Sequence, residues 1–129
     1  MLDVNFLAVF AAAVAALVWG GIWYSPMACL KLWLKESGTT VVKPHSAKTY
    51  ILSFLLMLIA AIVFAFFLGS KPPLGQSVLI GLVSGFAWSG TSFGINYAFA
   101  SRSFRLWLVD AGYHVGQFTL YGLILGAWH

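Results

Sequence analysis

The stretch that decides the fold is FRLWLVDAGYHVGQFTLYGLILGAW, which runs from Phe104 to Trp128. Its length and apolar content predict a membrane-spanning helix, since about 20 residues cross the hydrocarbon core of a bilayer. Four polar side chains recur in it at spacings of four, three and four: Asp110, His114, Gln117 and Tyr121. At about 100° per residue, these positions share one helix face. Because an ionisable residue in hydrocarbon is costly, this face is a candidate functional site.

The chemistry of this face has two interpretations. Asp110 and His114 are four residues apart, so they can share a proton or form an ion pair. Tyr113, Gln117 and Tyr121 would extend a hydrogen-bonded chain, and Asn96 of the preceding helix can approach Asp110. Together these residues would form a proton relay or a polar path. The other interpretation is that the polar face holds neighbouring helices together.

Composition excludes an ordinary soluble domain. The chain is 61% hydrophobic and 8% charged, which is typical of a polytopic membrane protein. The seven Lys and Arg residues lie in or beside the gaps between apolar runs, so we expect no nucleic-acid partner. Cys29 is the one cysteine, and the three histidines are far apart in sequence, so we expect neither a disulfide nor a metal site nor a haem. No nucleophile motif with oxyanion donors is visible, and we expect no enzyme activity.

Four apolar runs are long enough to span a bilayer, and they predict one all-α transmembrane domain over residues 1–129. Their approximate bounds are 4–24, 47–68, 76–100 and 104–128. The first run lacks the basic residues that begin a cleavable signal peptide, so we expect it to be retained. Ser101 or Ser103 is expected to cap the fourth helix.

The connection between the first two runs predicts a short interfacial helix at about residues 28–37. Leu30, Trp33 and Leu34 share one face of it, and Gly38 ends it. The basic residues Lys31, Lys35, Lys43 and Lys48 lie in or beside this connection, and Arg102 and Arg105 lie in or beside the third. By the positive-inside rule, both connections face the cytoplasm and both termini face outward.

Two similar segments predict an internal repeat. GIWYSPMACLKLWL begins at Gly21, and GINYAFASRSFRLWL begins at Gly94. Two spans in each half give both halves the same orientation, which indicates a 2+2 parallel repeat related by an axis along the membrane normal. Chance similarity in so biased a composition is the alternative.

Small residues at four-residue spacing predict close packing of the third and fourth spans. The pairs are Gly81 with Gly85, Gly90 with Gly94, Gly112 with Gly116, and Gly122 with Gly126. In the fourth helix the glycines oppose the polar face, so the helix needs neighbours on two sides. One small bundle offers few helices for these two faces to contact. We therefore expect a homo-oligomer, with a dimer favoured, or a subunit of a larger membrane complex.

Aromatic and basic residues near the predicted helix ends are expected to anchor the protein at the membrane interface. They are Trp23, Tyr24, Trp33, Arg102, Arg105 and Trp107.

Four elements of the chain carry a family resemblance. They are WYSP at Trp23–Pro26, the pair Asn96 and Tyr97, DAGYH at Asp110–His114, and the Gly-Ala-Trp run at Gly126–Trp128. With these elements in this order, the chain resembles the domain of unknown function 1761 family of small bacterial membrane proteins. The resemblance implies four spans in a bacterial inner membrane, and it supplies no biochemical activity.

Function is therefore predicted from the polar face alone. The first hypothesis is a small oligomeric channel or proton-linked transporter, with Asp110 and His114 as its proton-sensitive pair. The alternative is an accessory or assembly subunit of a membrane complex, in which the same residues hold helices together.

Overall fold

Helices dominate the computed structural model, which describes residues 3–39 and 45–129. The helices are α1 (Phe6–Trp23), α2 (Leu30–Ser37), α3 (Ala47–Leu68), α4 (Leu74–Ser84), α5 (Thr91–Phe99) and α6 (Phe104–Ala127). A π-helical segment, Gly85–Gly90, joins α4 to α5 without a break. No strand occurs in the described ranges, so the all-α prediction is confirmed there. Lys43, which contributed to the predicted orientation, lies outside them.

The helix ends follow their capping residues. Asn5, Ser46 and Ser103 each accept a hydrogen bond from a backbone N–H in the first turn of the helix that follows. Of the two predicted caps of α6, it is therefore Ser103 that acts. Gly38 ends α2 at φ +77°, a left-handed conformation that suits glycine. The short helix predicted at residues 28–37 is thus present as Leu30–Ser37.

Three described helices are long and apolar enough to cross a membrane: Phe6–Trp23, Ala47–Leu68 and Leu74–Phe99. Four were predicted. The fourth, α6, is long enough at 24 residues, but it is not among the three. The physical reason is the polar face itself, because Arg105, Asp110, His114 and Gln117 lower its hydropathy.

Helix α6 is central to the packing. It contacts α1 on one side and both α4 and the π-helical segment on another, whereas α3 packs mainly on α1. Ala8, Ala12 and Ala16 of α1 are fully buried and lie in one core cluster with Phe64 of α3 and Tyr121 of α6. Small residues on α1 allow this close approach.

The two ends of the bundle are distinct. The backbone N–H of Asp3 donates to Ser70 Oγ at 3.0 Å, and Leu68, Leu125 and His129 line one cavity with Asp3. We call this the terminal end. At the opposite end, the loop end, Arg102 Nη1 donates to the carbonyl of Ser37 at 3.3 Å. The predicted internal repeat stays a prediction, since the two halves differ by α2 and by the π-helical segment.

The glycines account for the close approach of α4 to α6, as predicted. A Cβ added to Gly85 would lie 2.7 Å from Val115 Cα, and one added to Gly81 or Gly122 would overlap the carbonyl of Phe118 or Ser77. The glycines of α6 meet two different helices. Gly122 and Gly126 meet α4, whereas Gly112 and Gly116 make room for the indoles of Trp23 and Trp19 on α1.

Two other glycines of the predicted pairs lie near α6 without helix-on-helix contact of this closeness. A Cβ at Gly90 would lie 3.6 Å from Ala111 Cβ, and one at Gly94 would lie 3.1 Å from Trp107 Nε1. The tightest contacts of the seam are therefore in its terminal half, between α4 and α6.

Candidate functional site

Asp110 joins three helical segments at the loop end. Tyr24, which caps α1, donates its hydroxyl to Asp110 Oδ1 at 2.6 Å, and Tyr97 of α5 donates to Oδ2. Both carboxylate oxygens are therefore hydrogen-bonded. Asn96, the residue predicted to approach Asp110, is exposed, because the helix directs the neighbouring Tyr97 there instead. We call Asp110, Tyr24 and Tyr97 the carboxylate cluster.

The predicted Asp110–His114 pair is not formed. In the described part of the chain, the hydrogen bonds of Asp110 go to tyrosines and that of the His114 ring goes to Gln117. The ring of Phe93 stacks on His114 with centroids 4.8 Å apart. The polar face of α6 is therefore divided into two groups, and the continuous relay predicted from spacing is absent.

The second group is a chain of hydrogen bonds that starts at His114. His114 Nδ1 lies 2.7 Å from Gln117 Oε1, and Gln117 Nε2 donates to the Tyr121 hydroxyl at 2.8 Å. Tyr121 donates in turn to the carbonyl of Met57 on α3 at 2.7 Å. Gln117 is 4% exposed and Tyr121 is fully buried. We call these residues the histidine chain.

The end of this chain determines its direction. A backbone carbonyl can only accept, so the single hydroxyl proton of Tyr121 points to Met57. Tyr121 then accepts from the Gln117 amide, which leaves Gln117 Oε1 as an acceptor for His114 Nδ1–H. In the neutral form of His114, this donor order places the proton on Nδ1. Nε2 then carries a lone pair and has no hydrogen-bond partner among the described residues.

An open cleft of about 370 Å³ lies beside His114. It separates α3 from α6 and the π-helical segment, and it is near the middle of both long helices. Its lining consists of Ser53, Leu56, Met57, Ala60, Ser89, Tyr113, His114, Gln117 and Phe118. The volume is within the range of small-molecule sites.

Aromatic pairs explain why the cleft exists where it does. Phe64 of α3 packs edge-to-face on Phe118 at 5.6 Å, and Phe67 packs on Trp88 at 5.4 Å. These pairs hold α3 against the rest of the bundle in its terminal half. Nearer the loop end, Ser53 and Leu56 have no such contact with α6, and the helices separate.

The π-helical segment supplies one wall of the cleft through Ser89. Side chains bond to its carbonyls: Thr91 Oγ1 donates to Ala87 O at 2.6 Å, and Trp107 Nε1 donates to Gly90 O at 2.8 Å. π-Helical segments are rare in proteins, and those that occur are often found at functional sites. Sequence reasoning missed it, and the only signal was the run of hydroxyl residues that follows Gly90.

Several of the predicted interface anchors use their N–H or O–H groups in hydrogen bonds within the protein. Trp23 Nε1 donates to the carbonyl of Val109 at 2.7 Å, and Trp19 Nε1 donates to that of Tyr113 at 2.9 Å. Tyr24 and Trp107 are likewise bonded within the bundle. The glycines of α6 let these side chains reach its backbone, which spacing alone did not reveal. Contact of Trp33 and Arg105 with a membrane stays a prediction.

Tyr113 completes the seam between α1 and α6. Its hydroxyl donates to the carbonyl of Ala16 at 3.1 Å, and its ring lies edge-on to His114 at 4.8 Å. The hydroxyl therefore bonds to α1, and Tyr113 serves the cleft as a wall.

The described residues contain no group of three His, Cys, Asp or Glu side chains that can hold a metal ion. Comparison with known proteins gives one match. The family described as "Protein of unknown function (DUF1761)" matches residues 7–126. The chain belongs to this family. No curated protein and no solved structure matches it.

Proposed function

We propose that this chain is a four-span membrane protein that conducts protons, as a small channel or a proton-linked transporter, and that His114 is its proton-sensitive residue. The observation that carries this proposal is the cleft at the middle of the bundle, which His114 lines and where its Nε2 has no hydrogen-bond partner among the described residues. A polar site at the membrane midplane is the usual arrangement in secondary transporters.

The positions of its ends support α6 as the fourth span. Its N-terminal end lies beside Ser37 at the loop end, through Arg102, and its C-terminal end lies beside Asp3 at the terminal end. If α1, α3 and the Leu74–Phe99 helix cross the bilayer, α6 crosses the same layer. Two of its polar side chains, Gln117 and Tyr121, are buried in the protein and so shielded from lipid.

Orientation and assembly complete the proposal. The loop end carries most of the basic residues, so we place it in the cytoplasm and the terminal end outside. We also propose that the chain forms a homodimer, because one small bundle offers few helix partners.

His114 is better suited than Asp110 to carry the proton. Both oxygens of Asp110 are occupied by tyrosine hydroxyls, whereas Nε2 of His114 is not bonded in the described part of the chain. Protonation converts Nε2 from an acceptor to a donor, which changes the ligand that it can bind.

Proton flux in proteoliposomes tests this proposal. The protein is reconstituted with a pH-sensitive dye inside, and an inside-negative potential is imposed. We expect acidification faster than in empty liposomes, loss of this flux in His114→Gln, and retention in Asp110→Asn. His45→Gln is the matched control, because His45 is exposed and distant from the cleft. Absence of flux in the parent protein, or full flux in His114→Gln, would contradict the proposal.

An accessory subunit is the second candidate. The carboxylate cluster favours it, because a carboxylate satisfied by two tyrosines is an effective tie between helices. Native mass spectrometry after extraction in mild detergent would support it by detecting a second membrane protein in fixed stoichiometry.

A further inference from the structure

We propose that the cleft between α3 and α6 binds an amphiphile dissolved in the bilayer, whose neutral hydroxyl head donates a hydrogen bond to His114 Nε2. This inference rests on the proposed membrane arrangement, and it names the class of solute that the cleft takes.

The opening of the cleft indicates the route of access. Leu56 at its edge is 58% exposed and lies midway along α3. Once α3 spans the bilayer, this edge faces the acyl chains. A molecule already dissolved in the membrane therefore reaches the cleft sideways, without crossing the interface at either end.

The lining has two chemically different parts. Leu56, Met57, Ala60 and Phe118 form an apolar surface that suits an alkyl or isoprenoid chain. Ser53, Ser89, His114 and Gln117 supply polar atoms for a head group. A few polar groups within an apolar pocket are the usual means of orienting a small ligand.

The charge of the lining restricts the head group. None of the residues around the cleft is Asp, Glu, Lys or Arg. While His114 is neutral, a charged head group would therefore be desolvated without a charged partner, at a cost that binding must overcome. A neutral head group is the chemistry that this lining accepts.

The histidine chain restricts the head group further. Because Met57 O fixes the donor order through Tyr121 and Gln117, the neutral His114, which lines the cleft, keeps an unbonded lone pair on Nε2. A carbonyl or ether oxygen would repel that lone pair, whereas a hydroxyl donates to it. The hydroxyl oxygen can then accept from Ser89 or Ser53, so an alcohol or phenol satisfies both roles.

Photolabelling with a diazirine-bearing dodecanol tests the inference on the full chain in lipid nanodiscs. We expect labelling of α3 and α6 peptides that line the cleft, and about tenfold weaker labelling by the methyl ether of the same chain, since one buried hydrogen bond is lost. The fatty acid of equal length, in its ionised form, should label as weakly as the ether.

Two variants and one control locate the site. Leu56→Trp should block the mouth of the cleft and abolish labelling, whereas Leu55→Trp, at a neighbouring exposed position outside the cleft, should label like the parent. His114→Phe keeps a ring against Phe93 and should remove the preference for the alcohol over the ether. Both tryptophan positions are exposed, so folding is retained and the comparison stays informative.

Several results would overturn the inference. They are equal labelling by alcohol, ether and acid, an unchanged preference in His114→Phe, and crosslinks at Leu56 to a second copy of the chain in place of the probe. Binding without proton flux would refute the proposed transport and leave this inference standing. Proton flux without binding would do the reverse.

Discussion

At the residue scale, a single backbone carbonyl fixes the order of donors and acceptors along the histidine chain. Met57 O can only accept, and this fixes the hydroxyl of Tyr121, the amide of Gln117 and the tautomer of His114 in turn. The position of the proton on neutral His114 is thus set from α3, a helix whose backbone lies close to α6 at few positions.

Tyr121→Phe tests this chain of hydrogen bonds. The substitution removes one hydroxyl and leaves the buried Gln117 amide without its acceptor, so we expect the free energy of unfolding to fall by about 1–2 kcal/mol. Thermal unfolding in detergent measures it. Tyr50→Phe, at a position 52% exposed, is the matched control and should leave stability unchanged. Equal effects of Tyr121→Phe and Tyr50→Phe would show that the hydrogen bonds of the histidine chain contribute no stability.

A double-mutant cycle tests the carboxylate cluster. Asp110→Asn alone should lower stability by about 1 kcal/mol, because an amide presents a donor to a tyrosine that itself donates. Tyr97→Phe should cost a similar amount, and the two changes together should cost less than their sum. Strict additivity, measured by chemical unfolding, would mean that Asp110 and Tyr97 do not interact.

At the element scale, the seam between α4 and α6 depends on the absence of side chains. Gly81 and Gly122 lie against backbone atoms of the facing helix, and backbone atoms cannot rotate away. Gly75, in the same helix as Gly81, has nothing within 4 Å of the place where a Cβ would be. One helix therefore contains both a test position and its control.

Gly81→Ala should lower the free energy of unfolding by about 1–3 kcal/mol, through overlap with the carbonyl of Phe118. Gly75→Ala should be neutral or stabilise the helix by up to about 1 kcal/mol, because alanine restricts the unfolded chain. Thermal unfolding of both variants in the same detergent gives the comparison. Destabilisation by Gly75→Ala of the same size would contradict the packing described.

The sequence was sufficient to predict the helices, but it was insufficient to predict most of the side-chain contacts between them. Hydropathy and length placed α1, α3 and the Leu74–Phe99 helix, and glycine spacing predicted the α4–α6 seam. Spacing along one helix cannot tell which neighbour reaches it, so Tyr24 and Tyr97 were not assigned to Asp110. The π-helical segment was missed because its one extra residue leaves the apolar run unbroken.

At the scale of the whole molecule, both described ends of the chain and the second connection lie at one end of the bundle. Three helices of the bundle are long and apolar enough to span a membrane, and α6 runs beside them. The cleft at its middle is the reason that the course of α6 matters for function.

We expect the whole molecule to be a homodimer. Native mass spectrometry in mild detergent should give twice the 14.0 kDa mass of the chain. A stable species of one chain, with proton flux retained at limiting dilution in liposomes, would contradict it.

In the arrangement proposed above, α6 crosses the membrane as a polar span and carries His114 to mid-depth. Labelling by an impermeant thiol reagent, in intact cells and in a Cys29→Ala background, tests it most directly. Single cysteines at Ser101 and His129 flank α6, and cysteines at Thr39 and Ser70 report the loop end and the terminal end. We predict that the cysteines at 129 and 70 react from outside, whereas those at 101 and 39 react only after the membrane is opened. Reaction of 101 and 129 from the same side would contradict the account.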